Sequence, residues 1–299
     1  MKKALWILMS AGVAAVLLVV VSLYRDYTAW FDHDSAQPLD SRVRILEEAE
    51  TYRKYEVRLR SLAGADIVSL LSIPSTVEPH PLIMLQGGYH RGKDALNLIG
   101  DDALRLGYAV FSMDYRYTGS VDNPVLLYLQ TRGAMRDAVI DLRRVLDYFQ
   151  TREDIDQDRL VMVGVSLGAL FGPILMAVDD RLDYLVLIYG GGNLAEVVRA
   201  NSPVNPVLTE IMAGISSVFY APFEPLRYAG RISPRPLLMI HGTGDNWVPA
   251  RCAREFYDKV GDPKEIIWHD RGHIRSYDTE EIERLGDECL AWLVRQFSK

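Results

Sequence analysis

Cysteine is nearly absent from this 299-residue chain. The two present, Cys252 and Cys289, stand far apart in helix-like runs, which excludes a disulfide framework and a cysteine-based metal site. They read as buried, inert thiols. An excess of positive charge is missing too. Lys and Arg number 33 against 40 Asp and Glu, a net charge of −7, so no basic face is on offer to nucleic acid phosphates. There is no Asn-x-Ser/Thr sequon, no internal repeat and no low-complexity run. Apolar residues are plentiful. At 49% of the chain they suffice for the core of one large α/β domain with additions.

Twenty uncharged residues, Ala4 to Leu23, follow Met1-Lys2-Lys3. As a helix this run reaches about 30 Å, the thickness of a bilayer's hydrocarbon core. Residues 1–23 are therefore expected to form a single-pass transmembrane anchor. A cleaved signal peptide is one alternative, but its apolar region is usually about 7–15 residues and ends in a small-x-small site, which this run lacks. A buried core helix is the other. Lys2 and Lys3 precede the run and Arg25 follows it beside Asp26, which places the N-terminus in the cytoplasm and the rest of the chain outside. Tyr24, Tyr27, Trp30 and Phe31 suit an interfacial aromatic belt. Residues 24–52 then read as a juxtamembrane segment containing a short helix from Ser41 to Tyr52, with the main domain at 53–299 and its sheet starting near Glu56.

From there the pattern changes period. Glu56 to Leu62 alternates apolar and polar residues, a turn follows at Ala63-Gly64-Ala65-Asp66, and Ile67 to Ile73 returns as a second strand. Strands are expected at 81–86, 108–114, 159–165, 184–189, 236–241 and 264–269. Helices are expected at 94–106, 131–150, 167–178, 250–260 and 279–297. This alternation predicts an α/β fold, a mostly parallel sheet with helices on both faces. Residues 190–235 are too long for a plain crossover, carry prolines 203, 206, 222, 225 and 234, and hold an apolar helical stripe between Val207 and Tyr220. They read as a small helical cap over the site, or as a face that simply covers the sheet.

The strand-like Arg159 to Val163 runs into Gly164-Val165-Ser166-Leu167-Gly168, and a buried helix follows. A strand turning sharply into a helix through two glycines exposes one serine hydroxyl at the top of a sheet, a candidate nucleophile. Serine needs a histidine base, and the histidine needs a carboxylate to hold its tautomer. Chains built on this elbow run serine, acid, histidine. Of six histidines, at 33, 80, 90, 241, 269 and 273, that order leaves His269 and His273. His273 lies in the loop Asp270 to Ile274 and is favoured; His269 ends a strand and reads as structural. Asp245 follows the apolar strand Pro236 to His241 and so faces the crevice at the carboxyl edge of a parallel sheet. Asp258, Asp262 and Asp270 lack that setting. Backbone N–H groups of Leu167, and of Gly88 or Tyr89 in Gln86-Gly87-Gly88-Tyr89, are candidates for an oxyanion hole.

These stretches, with Met113-Asp114-Tyr115-Arg116 and Gly272-His273, resemble the α/β-hydrolase superfamily, in particular its dienelactone-hydrolase-like and prolyl-oligopeptidase-like catalytic domains, over about residues 55–298. The resemblance implies a Ser166–Asp245–His273 triad hydrolysing an ester, thioester or amide. Gln86 stands where the usual oxyanion loop starts with His, and Ser166 where true dienelactone hydrolases have cysteine. No metal or organic cofactor is expected. The function expected is a membrane-anchored serine esterase acting on small carboxylic esters. A peptidase for short peptides and a catalytically silent binding module on the same fold are the alternatives. Neither oligomeric state nor natural substrate is legible.

Overall fold

Nine strands form a single sheet in the order β1-β2-β3-β5-β4-β6-β7-β8-β9. The computed structural model describes residues 17, 19–22, 24–88, 92–98, 100–116, 124–275 and 278–298. β1 (Arg42–Glu48), β2 (Tyr52–Arg60) and β3 (Asp66–Pro74) are an antiparallel meander whose last member pairs antiparallel with β5 (Ala109–Met113). From β5 onward, β4 (His80–Gln86), β6 (Ile155–Val165), β7 (Tyr184–Ile188), β8 (Leu237–Gly242) and β9 (Lys264–His269) all pair in parallel. The central parallel strands read as continuous apolar runs because both faces are covered.

One face is covered by α2 (Pro124–Phe149), α3 (Gly168–Val178) and α6 (Ala250–Lys259), with Phe111, Phe149, Phe171 and Phe256 in its core. The other is covered by the 3-10 turn Gly92–Leu98, α1 (Gly100–Arg105) and α7 (Thr279–Phe297), with Trp292 and Leu293 fully buried. The helix expected over 94–106 is thus split in two. The chain passes from β4 to β5 on one side and then to β6 on the other. A crevice opens at such a reversal of strand order, at the strands' carboxyl ends.

The N-terminal part departs from expectation. Residues 42–48 are an edge strand, not a helix. Val43 and Ile45 pair with Val57 and Tyr55 of β2, and Arg42, Arg44, Glu47 and Glu48 keep the open edge charged, which discourages further strand addition. Residues 24–41 are also built into the domain. The 3-10 turn Thr28–Phe31 puts Phe31 fully into the core, against Phe223 and Tyr228 with ring centroids 6.0 and 6.5 Å away. Arg144, itself fully buried, donates to the carbonyls of Gln37 and Pro38 at 2.8 Å. The domain therefore begins well before residue 53. The anchor expected over residues 1–23 lies almost wholly outside the described residues. Among the described residues no helix is long and apolar enough to cross a membrane.

Residues 190–235 form α4 (Leu194–Asn201), α5 (Pro206–Phe219) and three short 3-10 turns. Asn193 and Asn205 cap the two helices through their side-chain oxygens, each accepting a backbone N–H three residues on. Pro206 opens α5 at a position where no N–H is needed.

Candidate active site

β6 ends at Val165 and α3 starts at Gly168, which leaves two residues for the reversal. Ser166 takes the left-handed backbone conformation, φ 52°, with its N–H bonded to the Ile188 carbonyl at 2.9 Å. The flanking glycines are sterically required. A Cβ on Gly164 would come within 2.6 Å of the Gly168 oxygen, and one on Gly168 would collide with the Gln86 backbone. Leu167 stands at the N-terminal end of α3, where the helix dipole and unpaired N–H groups favour an anion.

β8 and β9 bring the other two side chains. Beyond them the loops are drawn together by backbone bonds: Thr243 N–H to the His269 carbonyl at 2.8 Å and Gly244 N–H to the Arg271 carbonyl at 2.9 Å. A side chain on Gly242 would strike that Arg271 carbonyl, so this approach needs glycine. As a result His273 Nδ1 lies 2.7 Å from Asp245 Oδ2 and its Nε2 lies 2.9 Å from Ser166 Oγ. The carboxylate can only accept, so Nδ1 carries the hydrogen and Nε2 is left to accept the serine proton. Asp245 Oδ1 accepts from the N–H groups of Trp247 and Val248 at 2.8 and 2.9 Å, which fixes the carboxylate from its other side. His241, fully buried 3.7 Å from Asp245, donates to the Val248 carbonyl. Burial lowers its pKa, so it stays neutral beside the carboxylate and does not compete with His273 for the charge.

The other histidine and the other acids stand elsewhere. His269 is buried and bonds to Glu281 and Glu288, tying β9 to α7. Asp270 accepts from Thr243, Asp258 is on α6, and Asp262 precedes the proline that leads into β9. Gly88 faces the nucleophile: a Cβ there would sit 3.7 Å from Ser166 Cβ. Tyr89 lies outside the described residues.

Residues that sequence reasoning passed over brace this arrangement. Tyr189, also left-handed at φ 53°, sets its ring edge-on to His273 at 5.4 Å and donates to Glu281 at 3.0 Å. Glu281 is buried, which by itself raises its pKa. Hydrogen bonds from Tyr189, His269 and Arg284 outweigh that and hold it below the usual carboxylate range. Behind the other side, three consecutive residues after β5 each take a separate partner, and one of them holds the glycine loop. Asp114 accepts from Lys93 Nζ at 2.6 Å, Tyr115 donates to the Gly87 carbonyl, and Arg116 pairs with buried Asp141 at 2.6 Å. The run Met113-Asp114-Tyr115-Arg116 was the available signal, but its separate tasks depend on partners far away in the chain.

Residues 103–299 match the model of the prolyl oligopeptidase family. YtaP of Bacillus subtilis (strain 168), provisionally named a hydrolase, is 25% identical over 226 residues, covering 68% of this chain and 71% of YtaP. The uncharacterised protein YfhR of Salmonella typhi is 27% identical over 172 residues. That alignment spans 56% of either chain, little more than half the relative's length. Among solved structures, the acetyl xylan esterase from Paenibacillus sp. R4 superposes with a TM-score of 0.69 at 19% identity, covering 89% of this chain and 93% of that one. Acetyl xylan esterase 1 from Thermoanaerobacterium sp. JW/SL YS485 gives 0.64 at 17% identity, covering 87% and 90%. At such identities the likeness concerns the fold.

Proposed function

The chain belongs to the prolyl oligopeptidase family and has the α/β-hydrolase fold, and from that premise we propose a serine hydrolase that cleaves small carboxylic esters and is held to a membrane by residues 1–23. One observation carries the chemistry: the unbroken row Ser166 Oγ, His273 Nε2, His273 Nδ1, Asp245 Oδ2 at the carboxyl edge of the sheet. In the proposed cycle Ser166 attacks the substrate carbonyl while His273 takes its proton. The oxyanion is held by N–H groups of Leu167 and of Gly88 or Tyr89. His273, then charged and balanced by Asp245, gives its proton to the leaving alcohol. Water attacks the acyl-enzyme by the same route in reverse. Every step uses the chain's own groups.

A fluorophosphonate probe should label the full chain at Ser166 and leave Ser166→Ala unlabelled. Aryl and alkyl esters of short acids should turn over faster than aminoacyl amides. Absence of labelling would point to a silent binding module. Faster release of an aminoacyl or dipeptidyl group than of any ester would favour a peptidase, the reading the family match supports.

Tyr115 supplies a finer test. Its hydroxyl holds the Gly87 carbonyl and so aims the next amides at the substrate oxygen. Tyr115→Phe should lower kcat roughly tenfold, a fraction of the ~10²–10³ that a whole oxyanion donor is worth, with KM little changed. A rise in KM at constant kcat would mean that Tyr115 shapes binding rather than the oxyanion loop.

A further inference from the structure

α5 is turned the wrong way for a helix of a soluble domain. Such a helix buries its apolar stripe and shows its polar face. Here the small residues Ala213 and Ser216 are buried, whereas Val207, Ile211 and Ile215 are 73, 53 and 57% exposed, with Leu208 and Met212 also exposed beside them. Spacings of three and four residues put these five side chains on one face. The single charged residue of the helix, Glu210, is occupied by Arg199 at 3.0 Å.

The end of this face adjoins the point where the chain's apolar N-terminal segment leaves the domain. Ile215 lies one turn, about 6 Å, before Phe219. The Arg132 guanidinium sits between the rings of Phe219 and Trp30, 5.1 and 4.8 Å from their centroids, and donates to the Phe219 carbonyl. Trp30 belongs to the 3-10 turn that follows residues 17–25. At the same corner Arg227 donates to the carbonyls of Ser22 and Arg25, at 2.8 and 3.2 Å, and Arg231 pairs with Asp26 at 2.7 Å. Residues 19–22 of the uncharged run therefore stand at the same corner as the end of the exposed face of α5, and Arg25, Arg132, Arg136, Arg227 and Arg231 stand around it.

We infer that α5 lies in the headgroup–acyl boundary of a lipid bilayer, with Val207, Leu208, Ile211, Met212 and Ile215 as the inserted face and the arginine-lined corner against the lipid phosphates. An apolar helical face beside cationic groups is the composition that binds such a boundary. α4 carries the consequence to the site. Its last residue, Asn201, donates to the carbonyl of Trp247, whose ring lies 6.3 Å from His273. The cap thus touches lipid on one side and the rim of the site on the other, so an apolar ester enters from the membrane. That route rests on the hydrolase reading; the docking of α5 does not.

The test uses the full chain in vesicles of three parts phosphatidylcholine to one part phosphatidylglycerol. A nitrobenzoxadiazole label is placed at Ile211→Cys, in a second variant at Ile215→Cys, and as a control at Glu48→Cys on the exposed edge strand. The native Cys252 and Cys289 are buried, so the introduced thiol is the one that reacts. On α5 the emission should shift to the blue and be quenched by bromines carried on the acyl chains, as expected about 5–10 Å into the boundary. The control should do neither. If the α5 labels in vesicle-bound chain stay as wet as the control, the docking surface falls while the anchor stands. If the full chain does not bind the vesicles, both fall. A blue shift without quenching that grows with protein concentration would place a second copy on α5 and overturn the lipid assignment. Absence of fluorophosphonate labelling and of ester turnover with quenching intact would sink the hydrolase reading alone.

Discussion

Ser166→Ala should reduce ester turnover by about 10⁴–10⁶-fold while the protein unfolds at the same temperature as before. The removed hydroxyl is small and bonds His273 at 2.9 Å, and the conformation of residue 166 is set by the glycines around it. His273→Ala should cost nearly as much, because without a base the hydroxyl remains a poor nucleophile. Asp245→Ala should cost least in kcat, since His273 could still take a proton in the minority of molecules with the right tautomer. It should cost most in stability, because the Trp247 and Val248 N–H groups lose their shared acceptor. The double variant lacking Ser166 and His273 should be no slower than Ser166→Ala alone, the mark of groups acting as one unit. Stopped assays with an activated aryl ester, read beside thermal melts, decide the matter. Near-normal turnover by Ser166→Ala, or additive losses in the double variant, would remove the assignment.

Truncation should sort sharply by starting residue. A chain beginning at residue 24 should fold and turn over esters like the full chain, because every strand and both halves of the core lie after Tyr24. A chain beginning at residue 41 should fail to fold. It lacks Phe31 and leaves the buried guanidinium of Arg144 with the longer 3.3 Å bond to the Arg60 carbonyl in place of the Gln37 and Pro38 carbonyls, and a buried charge that loses its better partners costs several kcal/mol. It also takes from Asp147 its bond to His33 at 2.7 Å and leaves it to Arg181 at 2.9 Å. Phe31→Ala in the full chain isolates one part of this. Emptying so enclosed a site should cost about 3–5 kcal/mol and lower Tm by about 10 °C. Denaturant melts of the three proteins check it. A cooperative melt of the residue-41 chain near that of the full chain would show that the N-terminal turn merely rests on the domain.

That second prediction exists because the sequence was misread there. Ser41 to Tyr52 carries Leu46, Glu47, Glu48, Ala49 and Glu50, all good helix formers, and the apolar pair Val43 and Leu46 has helical spacing. The competing sign, Arg42 and Arg44 alternating with Val43 and Ile45, was a four-residue hint of a strand, and pairing with β2 decided between them. The aromatic cluster around Trp30 was equally ambiguous, since an interfacial belt and a core plug draw on the same residues. Most elements from β2 onward were legible because their periods were long and their turns were marked by Gly and Pro; the helix expected over 94–106, split into a 3-10 turn and α1, was not. Ser166, Asp245 and His273 could be singled out because each sits in local chemistry, an elbow, a strand end or a Gly-His loop. Tyr189, Tyr115 and Glu281 could not. Each acts through a partner at least 28 residues away, and only the strand order brings the two together.

Two residues other than glycine in the left-handed region, Ser166 and Tyr189, meet at this one site. Each such conformation costs the folded state about 1–3 kcal/mol. Selection that rewarded heat resistance alone, as in a laboratory screen with no substrate present, would therefore drift toward glycine at Ser166 and dismantle the elbow, whereas Tyr189 would be kept because its ring is fully buried and bonded to Glu281. Thermal hardening of this protein has to be sought in the meander, the outer helices and the loops, and any variant from such a screen is judged by whether Ser166 survived it.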